Sequence, residues 1–368
     1  MKKIMRKLVL PSFLFLSANV MYGQTKVINP DSARSARMQS FSGTVTYDGS
    51  GAGTGGANGT YVGYNAGHTT TGDRNSFYGA ESGYLNSTGI SNNYFGHQSG
   101  YSSTSSTGNS FFGSRTGYST TTGGTNSFFG NLSGYSTTTG ENNTYLGYYT
   151  GYANTTGTRN VLIGAHAGSP NTAGNYNTML GNRAGFTNVA GSGNVFLGYY
   201  AGGQELGSNK LYIANSNTTT PLIYGDFATT KLTLNGKTSI GTANFPDSIG
   251  SANISNYKLY VKGGILAEQV RVRTGWADYV FKGDYVLKNL PEVEAFILEK
   301  GHLPNVPSAK TVEEQGLDLG DIARIQQEKI EELTLYLINQ NKIIERQQIE
   351  MKRLGERVDS LERINTNR

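Results

Sequence analysis

The chain has 368 residues, 50 glycines, no cysteine and a formal net charge of +5. The lack of cysteine excludes a disulfide framework, a thiolate metal site and lipid attachment through an N-terminal cysteine. Four positive charges lie in the first seven residues, so the rest of the chain carries about +1 (5 less 4). Nucleic-acid binding needs a concentrated basic surface, and we therefore expect no nucleic-acid partner.

Residues 1–23 have the pattern of a secretory signal peptide. Basic residues precede an apolar stretch from Leu8 to Val20, and small or polar residues follow it. The stretch is shorter than a membrane span and is interrupted by Pro11 and Asn19, so a retained anchor is the less favoured alternative. We predict cleavage after Gly23, export of the mature chain, and no membrane-spanning segment after cleavage.

A Gly-rich lead at residues 24–57 precedes a unit that is repeated nine times over residues 58–206. Each unit contains Asn or Gly, a small residue, two bulky apolar residues, Gly, and a second Gly four positions later. The first glycines of the units are Gly63, Gly79, Gly96, Gly113, Gly130, Gly147, Gly164, Gly181 and Gly198. A short, regular period predicts stacked coils, here a mainly β fold with a parallel β-solenoid or β-roll of about nine 17-residue coils.

Each unit is interpreted as a short strand, a turn at glycine, a second strand rich in Thr, and another turn. Gly113 and Gly117 illustrate the turning positions, because glycine adopts the positive φ angles that a tight corner needs. In the first strand, adjacent apolar residues point to opposite faces. We therefore expect an inner column that contains Phe111 and Phe128 and an outer column that contains Phe112 and Phe129.

The outer column has two possible explanations. Nine stacked apolar side chains form a larger exposed stripe than soluble monomers usually carry. Tyrosines that follow the second glycine of five units, Tyr84 to Tyr152, would shield the stripe in the first explanation. In the second, which we favour, the stripe packs against other copies of the same chain.

Threonines recur at one place in the unit, at Thr121, Thr138 and Thr155. A flat threonine ladder on a solenoid could order water or contact sugars, which makes ice or a glycan a candidate ligand. The alternative is that threonine is present because it forms strands well on a solvated face.

After residue 206 the repeat is lost. Residues 207–256 have short β patterns and are predicted to form a β-rich neck, with a hairpin turn at Asn235-Gly236. Residues 257–317 are predicted to form a small α+β module. Its expected elements are a strand, a turn and a second strand over residues 258–266, and a helix from Leu290 to Lys300.

Residues 318–368 are predicted to form a coiled-coil helix. The residues that define its apolar positions are Ile330, Leu337 and Ile344 at a, and Leu333 at d. Gln326, Gln340 and Gln347 at further d positions favour three strands over a plain dimer. The open alternative is one amphipathic helix that folds back on its own chain.

The sequence offers no recognisable catalytic constellation. Asp73, Glu81 and Glu141 occupy unrelated positions in their units, and the four histidines are scattered. Polysaccharide-cleaving solenoids need clustered carboxylates, and metal sites need grouped ligands. We expect neither enzymatic activity, nor a cofactor, nor a bound metal.

The Asn-x-apolar-apolar-Gly repeat of residues 58–206 resembles the head repeats of trimeric autotransporter adhesins of the YadA type. The segments Tyr257–Ala267, Trp276–Phe281 and His302–Pro307, with the start of the predicted coil, resemble the tail-fibre-like ending of exported Bacteroidetes repeat proteins. These resemblances imply a homotrimeric fibre-like adhesin, exported to the surface or surroundings of a Gram-negative bacterium. A glycan or a host or surface receptor is its possible partner.

Overall fold

The computed structural model describes residues 46–366 apart from Thr54, so the predicted signal peptide lies outside the described residues. The described chain forms two compact units, one that ends at Gly236 and one that begins at Lys237. The first unit confirms the predicted fold class, since it is a parallel β-solenoid of stacked coils. The long C-terminal helix is also present, in the second unit.

The solenoid sheet contains one short strand from each coil. Strands β1 to β11 pair in parallel with their neighbours along the chain. These strands are Thr46–Asp48, Thr60–Val62, Ser76–Tyr78, Asn93–Phe95, Ser110–Phe112, Ser127–Phe129, Thr144–Leu146, Val161–Ile163, Thr178–Leu180, Val195–Leu197 and Lys210–Ile213.

The parallel stack is longer than the predicted span of residues 58–206. Strands β1 and β11 add one pairing at each end, within the segments predicted to be lead and neck. The sequence departs from the repeat at both places, since Tyr47 aligns with Tyr61 after only 14 residues and Ala214 replaces the first glycine after β11. The central coils keep the 17-residue step, as between Phe111 and Phe128.

The predicted second, Thr-rich strand of each coil is wrong. The segment that contains Thr121 and Thr138 forms bends and turns, and only the first segment of each coil is a strand. The Thr-rich segments still stack in register, because the Thr121 amide donates to the Thr138 carbonyl at 3.0 Å. Thr121 and Thr122 lie in bends, so the backbone here is not extended far enough to form a strand.

Two antiparallel strands, β12 (Ile223–Asp226) and β13 (Lys231–Leu234), close the solenoid sheet after β11. The predicted hairpin at Asn235-Gly236 is wrong, since the turn between paired strands lies at residues 227–230. Asn235 donates its side-chain amide to the Pro221 carbonyl at 2.6 Å, and Gly236 ends the first unit. The Asn-Gly pair therefore marks a unit boundary.

The second unit contains two small sheets. Its strands are β14 (Thr238–Ile240), β15 (Ser248–Ile249), β16 (Ala252–Asn253) and β17 (Leu259–Val261). Strand β14 pairs in parallel with β17, and β15 pairs with β16 as a hairpin. The predicted strand at Leu259 is confirmed, but the predicted strand after Gly264 is wrong, because nothing in the described chain pairs with that segment.

A 3-10 helix and three α-helices follow. They are Asp278–Phe281, α1 (Leu290–Lys300), α2 (Ala309–Gln315) and α3 (Leu319–Thr366). The prediction of α1 is confirmed. Asn289 caps it in a capping box with Glu292, and Gly301 ends it with φ 74°. Helix α2, capped by Ser308, was not anticipated.

Candidate interaction surfaces

The inner column fills the solenoid. Its nine members are at most 2 % exposed, and they are Tyr61, Phe77, Tyr94, Phe111, Phe128, Tyr145, Leu162, Met179 and Phe196. The aromatic members from Phe77 to Tyr145 stack nearly parallel, and the rings of Phe111 and Phe128 are 4.8 Å apart. Phe111 and Phe128 therefore have the packing role that the sequence predicts.

Each coil contains two positions at which a side chain would clash, each for a different reason. Gly113 has φ +140°, and a Cβ atom there would lie 2.5 Å from the carbonyl oxygen of Gly130 in the next coil. Gly117 has φ +58°, and its Cβ would overlap the ring of Phe111. The first glycine thus permits close stacking of coils, and the second permits close packing against the inner column.

Sequence reasoning missed two further corners in each coil. Residues before the repeated Asn, and those two after the first glycine, also have positive φ although most are not glycine. Examples of the second kind are Glu81, Arg115, Leu132, Tyr149 and His166. The residue types at these positions vary so widely that the sequence does not indicate the positive φ angle.

A buried ladder of asparagines joins the coils. Its members are at most 1 % exposed, and they are Asn75, Asn92, Asn109, Asn126, Asn143, Asn160, Asn177 and Asn194. Asn109 Oδ1 accepts the Asn126 backbone amide at 2.9 Å, and Asn126 Nδ2 donates to the Gly140 carbonyl at 2.9 Å. Because each asparagine amide forms hydrogen bonds within its coil and to a neighbouring coil, the ladder helps to hold successive coils in register. The recurrence of Asn at the start of the units is the sequence signal for it.

The outer column is half-exposed along the sheet. Tyr78, Phe95, Phe112 and Phe129 stack at 4.7–4.8 Å with nearly parallel rings. Phe112 and Phe129 are 36 % and 38 % exposed. Each ring covers the face of the next, so the column presents ring edges to solvent.

The tyrosines after the second glycine form a separate column. The rings of His68, Tyr84, Tyr101, Tyr118, Tyr135 and Tyr152 follow one another at 5.0–5.2 Å. Among the described residues, their ring contacts do not reach the outer column. Shielding of the outer column by these tyrosines therefore has no support in the ring contacts.

The threonine column is bonded internally. Thr121, Thr138 and Thr155 are half-buried, and each hydroxyl donates to the carbonyl of the corresponding residue in the next coil. The three distances are 3.0–3.2 Å. These hydroxyl protons are consequently engaged within the fold rather than directed to solvent.

Helix α3 is attached to its own chain through a polar face. The Tyr279 hydroxyl donates to Glu328 and the Tyr285 hydroxyl donates to Glu332, while Tyr336 donates to the Lys288 carbonyl at 2.5 Å. With Ile330 at position a, the two glutamates occupy outer f and c positions. We call this contact, between residues 279–288 and α3, the clasp.

The clasp holds a buried carboxylate in its charged form. Burial alone would raise the pKa of Glu328, but hydrogen bonds from Tyr279, Lys329 and Asn305 outweigh it and keep the pKa below the ordinary 4.5. Lys329 also donates to Glu332 at 2.8 Å. No feature of the sequence identifies these partners, which lie more than 20 residues apart in the case of Asn305 and Glu328.

The a and d residues of α3 point away from the clasp. Ile330, Leu333, Leu337 and Ile344 are 43–61 % exposed, and the apolar stripe continues through Met351, Leu354, Val358 and Leu361. We call this the helix stripe. The described chain does not cover the stripe, so the alternative in which it folds back on its own chain has no support.

The described residues contain no group of three or more His, Asp or Glu side chains that could hold a metal ion. None of the described helices is long and apolar enough to cross a membrane. Asp73 accepts the Ala57 backbone amide at 2.7 Å, and Glu81 accepts the Gln98 side-chain amide at 2.8 Å. Comparison with protein-family models, curated proteins and solved structures gives no match.

Proposed function

We propose that this protein is an exported, homotrimeric structural protein that presents its solenoid for adhesion at or outside the surface of a Gram-negative cell. In this proposal α3 sets the number of chains and their register. The solenoid supplies a rigid, repetitive face for contact with a surface receptor or a glycan.

The reversed burial of α3 carries the proposal. An amphipathic helix in a monomer normally buries its apolar face and exposes its polar face. Here Glu328 and Glu332 are covered by the protein's own chain, whereas Ile330 and Leu337 are exposed. A helix held in this orientation has its a and d residues free for identical helices.

The composition of the helix stripe supports three copies rather than two. β-Branched residues at a, such as Ile330 and Ile344, with Leu at every d position would suit a dimer. Gln340 and Gln347 instead occupy consecutive d positions, where side-chain amides can bond around a threefold axis.

The outer column supports a role for the solenoid in contact with other molecules. It provides a straight row of apolar ring edges that includes Phe95, Phe112 and Phe129. Large exposed apolar stripes commonly mark interaction sites. The stacked ring faces are unavailable to sugars, so a flat apolar surface, including another copy of the solenoid, suits this column better than a single glycan.

The ligand-binding alternative, in which the threonine column binds ice or a polysaccharide, is less well supported. The hydroxyls of Thr121, Thr138 and Thr155 already donate to carbonyl oxygens. The column therefore has fewer free donors to organise water than its composition suggests.

Light scattering on the mature chain tests the proposal. The expected mass is three times that of one chain. Ile330→Asp combined with Leu337→Asp should reduce it to a single chain, because charges would enter the helix interface. Lys342→Asp, at an exposed f position of the same helix, is the matched control and should leave the mass unchanged.

The measured mass can support or contradict the proposal. A single-chain mass for the parent protein at micromolar concentration would contradict the proposal, and so would an unchanged mass for the double variant. Export and adhesion need their own test. N-terminal sequencing of protein from the culture medium or cell surface should begin after Gly23, and deletion of the gene should reduce attachment of the cells.

A further inference from the structure

The segment at residues 264–276, which we call the strap, joins β17 to the 3-10 helix without forming a strand or helix. Its backbone amides and carbonyls make no hydrogen bonds to other parts of the described chain. The strap is also apolar in an unusual way for a solvated segment. Ile265, Leu266, Val270, Val272 and Trp276 are between 48 % and 103 % exposed.

The sequence of the strap favours strand pairing. The order Val270-Arg271-Val272-Arg273 alternates β-branched apolar residues with charged residues, which is the pattern of a half-buried strand. A strand with no partner on either side offers its backbone groups to another chain. The strap therefore has both the apolar side chains and the free backbone that β-pairing requires.

The position of the strap identifies its partner. Val272 and Thr274 lie beside Gly320, where a Cβ atom would be 3.0–3.1 Å from their side chains. Gly320 is three residues before Ala323, the first a position of the helix stripe. If three copies of α3 associate in parallel through that stripe, their beginnings meet at one axis and bring three straps together.

Charge supports the same arrangement. The strap carries Arg271 and Arg273, for which the described residues show no ion pair. At the beginning of α3, one oxygen of Asp318 accepts the Gly320 amide and one oxygen of Asp321 pairs with Arg324 at 3.6 Å, which leaves the second oxygen of each carboxylate for a further partner. When three copies meet, the arginines of one strap can approach the acidic helix start of a neighbour.

We infer that the strap is an assembly element, which pairs with the straps of neighbouring copies and buries between chains the apolar surface that one chain leaves exposed. This inference rests on the proposed self-association through α3. It adds a second contact that forms around the start of the helices. In this arrangement, association of three chains would also hold the strap, and the module that contains it, in one conformation.

Hydrogen–deuterium exchange on the full chain tests this inference. In the assembled protein, amides at residues 265–275 should exchange at least about tenfold more slowly than in the Ile330→Asp, Leu337→Asp variant, which separates the chains. Residues 242–246, a loop elsewhere in the same unit, should exchange at the same rate in both proteins.

Cysteine cross-linking provides an independent measurement, since the natural chain has no cysteine. Val272→Cys should form a disulfide between two copies on mild oxidation, whereas Lys300→Cys, exposed at the end of α1, should remain reduced. A trimeric mass with fast exchange in the strap and no cross-link would overturn the inference and leave the proposed function intact. A single-chain mass would overturn both.

Discussion

The two units of this protein differ in how far their own residues bury their apolar side chains and pair their polar ones. In the solenoid, each coil provides the partner for the next, so the inner column, the asparagine ladder and the threonine column are all complete within one chain. The second unit has few buried residues, and its helix stripe and strap are exposed. The comparison indicates that repetition lets each coil bury the side chains of the next, whereas the second unit leaves its helix stripe and strap exposed among the described residues.

The largest expected effect distinguishes the two apolar columns of the solenoid. Phe128→Ala should lower the free energy of unfolding by about 3–5 kcal/mol, because it leaves a cavity in the inner column. Phe129→Ala, the adjacent residue on the outer column, should lower it by about 1 kcal/mol or less. Chemical denaturation of both variants measures the difference. Equal losses would mean that the outer column is buried in the same way as the inner one.

A smaller effect is expected for the asparagine ladder. Asn126→Ala removes the acceptor for the Asn143 amide and the donor for the Gly140 carbonyl, which remain buried. Unpaired buried groups of this kind should cost about 2–4 kcal/mol. Asn131→Ala, on the exposed surface, should change the free energy of unfolding by less than about 0.5 kcal/mol in the same denaturation experiment.

The clasp should weaken in acid. The pKa of Glu328 is lower in the folded protein than the ordinary 4.5, so its stabilising contribution is complete above that pH and is lost as the pH falls through the folded value. Emission from Trp276, the single tryptophan and three residues from Tyr279, should report the opening. Glu328→Gln should remove this transition, whereas Glu350→Gln, exposed further along α3, should retain it.

The smallest energetic effect concerns chain number. Gln340→Leu combined with Gln347→Leu should stabilise the helix assembly slightly and shift its mass from three chains towards two, since Leu at d with a β-branched residue at a, here Ile344, favours dimers. Light scattering measures the mass. Asn339→Leu adds a leucine at an outer c position and should leave three chains. A double variant that stays trimeric would show that contacts other than the d layer determine the number.

The sequence predicted the solenoid well because its information is repeated. One 17-residue period indicates the strand, both glycine corners and the inner and outer columns at once, as Phe111, Phe112 and Gly113 illustrate. The β pattern of Lys210–Ile213 is visible in the sequence, but its place in the solenoid is not, because Ala214 follows it where the repeats have glycine; β1 is separated from β2 by only 14 residues. The high strand propensity of threonine predicts a strand in the Thr-rich segment, but the backbone there bends at Thr121 and Thr122.

The second unit was less predictable because its contacts are not periodic. Local signals sufficed for α1, where Asn289 and Gly301 mark the ends. The partners in the clasp, such as Tyr279 and Glu328, are 49 residues apart and belong to no motif. Heptad spacing predicted which face of α3 is apolar, and only the structure shows that the opposite face is the one attached to the chain.

The non-glycine corners have a consequence for variation of this protein. At the position two after the first glycine of each coil, Glu81, Gln98, Arg115, Leu132 and Tyr149 all adopt the same left-handed backbone. The side chains at this position are acidic, basic, amide, aliphatic and phenolic, so the position tolerates replacement. The inner column and the asparagine ladder hold the coil in place. Successive coils thus offer a row of side chains about 4.8 Å apart, some hydrogen-bonded to one another as Glu81 is to Gln98, whose chemistry mutation can change without altering the backbone beneath.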